Sequence, residues 1–286
     1  MLENGAWDDI ITLPLGARSR KPRTKGLTMI IDKGLGYEET KDLLEVASDY
    51  IDFLKLGFGT AAFYSKELLK KKINLVKEYN VEIYPGGTFL EVAFFQGRAA
   101  CFLDRAKELG FNFVEISDGT INLNPNERKK LIEMALDRGL KVLTEVGKKD
   151  NKTKVSMVNL NEQVQKDLES GAFKVIMEGR ESGKDIGLYD EKGKLIENKY
   201  EQFTNKVNVE DIIWEAPLKN QQFDFIVKMN SDVNLGNIAS NEILALEALR
   251  TGLRGDTLNL VTSYESIKEQ EMHPVLRKLV AAWSLR

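Results

Sequence analysis

Short apolar runs alternate with amphipathic helical patterns along most of this chain. Eight runs have the length and apolar content of buried strands. Successive runs begin roughly 20 to 40 residues apart, which is the size of a βα unit. The strand candidates are Leu27–Asp32, Ile51–Gly57, Val81–Pro85, Phe113–Ser117, Lys141–Val146, Lys174–Glu178, Ile212–Glu215 and Val233–Leu235.

The helical segments between these runs carry start and stop residues. Asn124 is placed to cap a helix that begins at Pro125, and Glu127 sits where a carboxylate can accept from the exposed first-turn amides. The same helix is expected to stop at Gly139. Such regular alternation of strands and helices predicts a parallel sheet, and eight strands are the number that closes into a barrel.

We therefore predict an α/β fold, a single (β/α)8 TIM barrel over residues 26–257, with an open doubly wound sheet as the alternative. Residues 1–25 would form an N-terminal arm and residues 258–286 a C-terminal helical extension. The basic stretch Arg18–Lys25 is expected to be a solvated arm, with substrate or subunit contact as the alternative.

The composition of the chain limits the partners and the kinds of site that we expect. The 286 residues carry a net charge of −3 and a pI near 5.6, so neither nucleic acid nor an anionic membrane is an expected partner. Without an apolar stretch of transmembrane length, and with Cys101 as the single cysteine, we expect a cytoplasmic protein in which Cys101 is a core residue.

The single histidine, His273, argues against a Ser-His-Asp triad or a multi-histidine zinc site. Any metal must then be held mainly by oxygen, as Mg²⁺ prefers.

Four strand candidates carry a glutamate near their carboxyl ends. An ionised carboxylate inside an apolar run costs several kcal/mol unless it is paired or bound to metal. Because catalytic groups of barrels stand at these strand ends, the glutamates predict a shared polar floor, with a buried structural network as the alternative. The preferred Mg²⁺ ligands are Glu115, Glu145 and Glu178, with Asp118 and Glu215 behind them.

Two lysines lie at positions that suggest a structural or catalytic role. Lys55 lies inside an apolar run and Lys149 follows the fifth strand. The plain interpretation is an ion pair with neighbouring glutamates. The alternatives are a general acid together with an anion contact, or the Schiff-base lysine of an aldolase.

A phosphate site is expected near the last two strands, where barrels commonly bind phosphate. Backbone amides, hydroxyls and a guanidinium could supply its donors, although each glycine could equally serve a tight turn. The candidates are Gly236, Asn237, Arg254, Gly255 and Thr257.

From about Gly26 to Thr257 the sequence resembles the phosphosulfolactate synthase family. The motifs that carry the resemblance are Ile31-Asp32-Lys33-Gly34, Lys55-Leu56-Gly57-Phe58-Gly59-Thr60, Tyr84-Pro85-Gly86-Gly87-Thr88, Glu115-Ile116-Ser117-Asp118-Gly119, Glu145-Val146-Gly147-Lys148-Lys149, Glu178-Gly179-Arg180-Glu181-Ser182-Gly183, Glu215-Ala216-Pro217, Val233-Asn234-Leu235-Gly236-Asn237-Ile238 and Leu253-Arg254-Gly255-Asp256-Thr257.

The resemblance implies a Mg²⁺-dependent barrel enzyme that adds sulfite to phosphoenolpyruvate and makes (2R)-2-phospho-3-sulfolactate, on the way to coenzyme M or sulfolactate. It places the general acid at Lys149, while Lys33, Lys55, Lys148 and Arg180 would gather the anionic groups. A homo-oligomer, such as a trimer, is also expected. The rival hypotheses are another barrel lyase or aldolase acting on a phosphorylated acid, and a non-catalytic stress-associated relative.

Overall fold

The computed structural model describes residues 5–147 and 156–267. Eight strands run parallel in one sheet. The strands are β1 (Thr28–Asp32), β2 (Phe53–Leu56), β3 (Glu82–Pro85), β4 (Phe113–Ile116), β5 (Lys141–Val146), β6 (Lys174–Met177), β7 (Ile212–Glu215) and β8 (Leu235–Ala239).

Helices connect every strand to the next. The described α-helices are α1 (Tyr37–Ala47), α2 (Lys66–Glu78), α3 (Gly87–Phe95), α4 (Ala99–Leu109), α5 (Pro125–Leu136), α6 (Met157–Glu169), α7 (Glu197–Thr204), α8 (Lys219–Lys228), α9 (Ile243–Thr251) and α10 (Gly255–Ile267). Asn124 caps α5 as predicted, accepting from the amides of Asn126 and Glu127 at 3.0 Å each. None of the helices in these described ranges is long and apolar enough to cross a membrane.

The sheet curls into a nearly closed (β/α)8 barrel, which confirms the predicted fold. Its ladder runs in the order β3-β2-β1-β8-β7-β6-β5-β4, and the end strands β3 and β4 lie side by side. Side chains join this seam at both ends. Asn112 Nδ2 donates to Glu82 Oε2 at 3.0 Å, and the Gly87 amide donates to Glu115 Oε1 at 2.7 Å.

The barrel interior has an apolar layer beneath a charged layer. Because side chains alternate between the two faces of a strand, a residue two positions after an interior one also points inside. The apolar layer is formed by Leu27, Met29, Phe53, Tyr84, Phe113, Leu143, Ile176 and Ile213. Two positions after five of these residues stand Lys55, Glu115, Glu145, Glu178 and Glu215, all buried. The predicted polar floor is therefore a second interior layer.

Two local predictions were wrong. The eighth strand spans Leu235–Ala239 and not Val233–Leu235. Just before it, the Asn234 side-chain amide donates to the carbonyls of Glu210 and Ile212. Cys101 is exposed on α4, so it is not a core residue.

Two arginines of the basic stretch Arg18–Lys25 pack against the barrel, contrary to the expectation of a solvated segment. Arg18 is buried and ion-paired with Glu247, and Arg23 Nη2 lies 2.8 Å from Asp52 Oδ2. At the other end of the chain, α10 crosses the predicted boundary after residue 257, and residues 268–286 of the predicted extension lie outside the described part.

The seam between β3 and β4 generates a prediction for Gly87. An added Cβ there would clash with Ser117 Oγ and lie 2.7 Å from Glu115 Oε1. Gly87→Ala should lower the free energy of unfolding by about 1 to 3 kcal/mol, as overpacking does. Urea denaturation measures this change. The matched control is Gly255→Ala, because beyond its chain neighbours and the backbone of its own helix no described atom lies within 4 Å of an added Cβ. Equal stability of the two variants would contradict the prediction.

Candidate active site

A cavity of about 440 Å³ opens where the strands end. The charged interior layer forms its floor, and the loops after β2, β3, β4 and β6 supply its walls. Its described lining comprises Ile31, Lys55, Gly57, Phe58, Gly86, Gly87, Thr88, Glu115, Thr120, Glu145, Glu178, Arg180, Glu181, Ser182, Glu215 and Asn237.

The Lys55 ammonium occupies the centre of the floor. Its Nζ lies 2.9 Å from Glu115 Oε2, 3.2 Å from Glu145 Oε2 and 3.3 Å from Glu215 Oε1. Burial by itself lowers the pKa of this lysine, but the three carboxylates together raise the pKa well above its usual value. Lys55 is therefore held as a permanent cation.

That charge state bears on the aldolase alternative. Imine formation requires a neutral amine as the nucleophile. An ammonium enclosed by three carboxylates keeps its proton, so the Lys55 environment disfavours Schiff-base chemistry and suits electrostatic binding.

Glu145, Glu178 and Glu215 form a three-carboxylate group. One oxygen of each lies within 4.8 Å of the others, and all three residues are buried. Carboxylate oxygens are the ligands of hard divalent cations, so this donor set fits Mg²⁺. Among the described residues it is the one group that meets these distance criteria.

Backbone amides fix the direction of two of these three carboxylates. Glu215 Oε2 accepts from the Gly179 amide at 2.9 Å, and Glu178 Oε1 accepts from the Arg180 amide at 2.7 Å. Behind Glu145, the buried Arg128 donates to the Glu145 carbonyl at 2.9 Å. The carboxylates of Glu215 and Glu178 are thus held in place before any ligand arrives, and the backbone of Glu145 is fixed behind them.

Two predicted metal ligands lie outside the three-carboxylate group. Glu115 lines the cavity, but its Oε1 accepts from the Gly87 amide and its Oε2 is ion-paired with Lys55. Asp118 is directed toward Arg128, whose Nη1 lies 3.2 Å from Asp118 Oδ1, and it does not line the cavity.

The predicted phosphate residues separate in space. Arg180 and Asn237 line the cavity. Gly236 lies in β8 beneath it, where an added Cβ would meet Met29 Cε at 2.5 Å. Arg254, Gly255 and Thr257 do not line the cavity, because the chain passes through α9 between β8 and these residues. Arg254 instead pairs with Asp256, and Thr257 Oγ1 donates to the Arg254 carbonyl at 3.2 Å.

Of the remaining predicted lysines, the structure describes Lys33 alone. Lys33 pairs with Glu181 at the cavity mouth, and both side chains are about half exposed. Lys148 and Lys149 lie outside the described residues.

Sequence reasoning missed Glu91. This buried carboxylate on α3 accepts from the amides of Gly119 and Thr120 at 3.1 and 2.9 Å and from Ser117 Oγ at 2.5 Å. It therefore anchors the loop after β4, and with it Thr120 at the cavity wall. The one available signal was a charged residue inside the strongly apolar α3 segment.

The family model of (2R)-phospho-3-sulfolactate synthase matches residues 16–256, which include every described residue of the cavity lining. This chain belongs to the phosphosulfolactate synthase family. It is therefore a lyase-type enzyme by family.

Curated relatives agree with this assignment. Phosphosulfolactate synthase of Methanothermobacter thermautotrophicus is 45% identical over 256 residues, covering 88% of this chain and 98% of the relative. The enzyme of Methanocaldococcus jannaschii is 46% identical over 239 residues, covering 83% and 95%. The Bacillus subtilis enzyme is 37% identical over 252 residues, covering 87% and 98%.

Solved structures share the fold alone. The 3-hexulose-6-phosphate synthase of Salmonella typhimurium has a TM-score of 0.51 at 12% identity, covering 88% of this chain and 99% of its own. The YdjI aldolase of Escherichia coli K12 has a TM-score of 0.52 at 12% identity, covering 91% and 88%. The likeness to these structures therefore extends to the barrel and not to the chemistry of the site.

The central ion pairs generate a stability prediction for Lys55. Lys55→Met leaves three buried carboxylates without their shared cation, so the free energy of unfolding should fall by about 3 to 5 kcal/mol. Lys33→Met removes an exposed pair and should cost about 1 kcal/mol or less. Urea denaturation in the presence of EDTA compares the two variants. Similar small losses in both would show that Lys55 does not hold the floor together.

Proposed function

We propose that the cavity adds sulfite to phosphoenolpyruvate with the help of Mg²⁺ and releases (2R)-2-phospho-3-sulfolactate, which makes the protein a carbon–sulfur lyase. The observation that carries the proposal is the three-carboxylate group beside the Lys55 ammonium, in a chain of the phosphosulfolactate synthase family. The cytoplasmic location and the homo-oligomer remain predictions.

Charge supports the need for a cation. Both substrates are anions, yet carboxylates outnumber basic groups in the described lining, where Glu115, Glu145, Glu178, Glu181 and Glu215 face only Lys55 and Arg180. Bringing anions to such a floor is unfavourable at short distance in a partly desolvated site. A dication held by Glu145, Glu178 and Glu215 would offset this charge, and when bound there it would act as a Lewis acid toward the substrate carboxylate.

The residues of the chain then have distinct tasks. Lys55 and Arg180 attract the anionic groups, and Asn237 offers its amide to the same ligand. Sulfite forms a bond to the methylene carbon of phosphoenolpyruvate, and the π electrons of the double bond move toward the carboxylate as an enediolate. Lys149 then donates a proton to the carbon that bears the phosphate. This proton donor is assigned from the sequence, two positions after Gly147.

The activity itself is tested by following sulfite consumption with phosphoenolpyruvate, with and without Mg²⁺. We expect consumption that requires both phosphoenolpyruvate and the metal. Sulfite loss that is independent of phosphoenolpyruvate would refute the proposed reaction. Trapping with borohydride in the presence of substrate should yield no covalent adduct, since no imine forms.

The cation site predicts a common effect of three substitutions. Glu145→Gln, Glu178→Gln and Glu215→Gln should each abolish Mg²⁺-dependent turnover and the rise in Tm that Mg²⁺ gives the native enzyme. Saturating metal at 100 times its Kd is worth about 2.7 kcal/mol of stability, which a thermal melt resolves.

Two further variants serve as controls for this assignment. Glu181→Gln at the exposed mouth and Glu115→Gln beside Lys55 should keep the Mg²⁺-dependent rise in Tm. If Glu115→Gln loses that rise while the three other variants retain it, Glu115 is a ligand and the three-carboxylate group is not the site.

The two lysine roles predict different kinetic losses. A proton donor in the transition state is typically worth about two to four orders of magnitude in rate, so Lys149→Ala should lower kcat by that factor with little change in KM for phosphoenolpyruvate. Lys55→Ala should raise this KM first, because its cation serves binding. Steady-state kinetics on variants shown to be folded by circular dichroism separates the two roles. The reverse pattern would exchange them.

A further inference from the structure

Backbone strain is concentrated at the cavity. A positive φ is costly for non-glycine residues, and such residues tend to lie at functional sites. In the described ranges, the non-glycine residues with positive φ are Phe58 (55°), Asn80 (55°), Arg180 (59°), Asp185 (49°) and Asn237 (53°). Phe58, Arg180 and Asn237 line the cavity.

Phe58 is the least expected member of this set. Asparagine and aspartate tolerate the left-handed region, whereas a bulky aromatic residue there is an outlier. Burial does not account for it, because Phe58 is 60% exposed. Its neighbour Gly59 adopts a φ of 67°, and glycine at position 58 would make the same turn without strain. The chain therefore carries a strained and exposed ring where the fold alone favours none.

The ring stands where three loops meet at the cavity mouth. Its turn follows β2, only three positions after Lys55, and Thr60 Oγ1 closes the turn by donating to the Gly57 carbonyl at 2.9 Å. The Lys33 ammonium from the loop after β1 lies 6.0 Å from the ring centroid and also pairs with Glu181 from the loop after β6.

The Phe58 ring also supplies an apolar surface that most of the described lining lacks. Apart from Ile31 and Phe58, that lining consists of charged, hydroxyl, amide and glycine residues. These polar groups suit the phosphate, carboxylate and sulfite groups of the ligands. They offer nothing to the flat and apolar carbon–carbon double bond of the organic substrate, whose methylene carbon carries no charged group.

We propose that Phe58 is a specificity-determining residue whose ring packs on the unsaturated carbons of the organic substrate and shields them from water. The inference rests on the proposed function and deepens it, because it assigns recognition of the carbon skeleton to a side chain separate from those that bind the anionic ends. The strained turn keeps the ring over the cavity while the substrate is absent.

Phe58→Gly tests the proposal because it changes stability and binding in opposite directions. Relief of strain should raise Tm by about 1 to 3 °C. Loss of the ring should raise KM for phosphoenolpyruvate about tenfold, the equivalent of burying part of one aromatic face. KM for sulfite, which has no apolar surface, should change less than about twofold. Phe58→Tyr retains an aromatic ring and should therefore keep the native KM for phosphoenolpyruvate.

Asn80→Gly is the matched control. Asn80 has the same φ and is exposed just after α2, where its backbone amide donates to the Lys77 carbonyl and its carbonyl accepts from Lys21. Because glycine keeps both backbone groups and Asn80 does not line the cavity, this variant should leave kcat and both KM values unchanged. A clearly lower Tm for Phe58→Gly would show that the ring is structural and would overturn the proposal. An unchanged KM for phosphoenolpyruvate would overturn it too. Absence of turnover in the native enzyme would instead refute the proposed function, and this inference with it.

Discussion

The upper half of the barrel depends on one buried ammonium. Lys55 projects from β2, while its partners Glu115, Glu145 and Glu215 project from β4, β5 and β7, so the contacts cross the interior between strands that are not neighbours in the ladder. Three carboxylates at this depth would repel each other and lack water. A shared cation makes their burial tolerable, and a hydrophobic layer below them excludes solvent from the other side.

The same arrangement leaves the floor acidic. The single charge of Lys55 cannot balance the carboxylates of Glu115, Glu145, Glu178 and Glu215. Their excess negative charge attracts a cation. Because Gly179 and Arg180 amides already orient Glu215 and Glu178, ligation would need little reorganisation. An electrostatic imbalance that costs stability in the free protein would thus preorganise the proposed cation site.

The floor of the cavity is held rigidly, whereas the groups at its mouth can rearrange. The floor is buried and bonded to backbone amides, and Glu91 fastens the loop after β4 from behind. The mouth carries the exposed Lys33–Glu181 pair and the exposed ring of Phe58. Exposed pairs are weak and exchange partners readily. Anionic ligands can therefore compete for Lys33 without disturbing the groups beneath it.

The sequence by itself determined the strands of the barrel and the inward direction of the four glutamates. Both follow from periodicity along the chain, since apolar runs mark strands and alternation of side chains fixes which face each residue meets. The lack of a histidine cluster likewise limited any metal site to oxygen ligands. These conclusions needed no knowledge of distances between strands.

Only the tertiary structure decided which of these groups meet. It grouped Glu178 with Glu145 and Glu215, turned Asp118 toward Arg128, and separated Arg254 from Asn237 by a whole helix. Such distances depend on the stagger of the strands around the barrel and on the loop amides that aim each carboxylate. Neither quantity is encoded in local sequence pattern, because each arises from contacts between residues far apart in the chain.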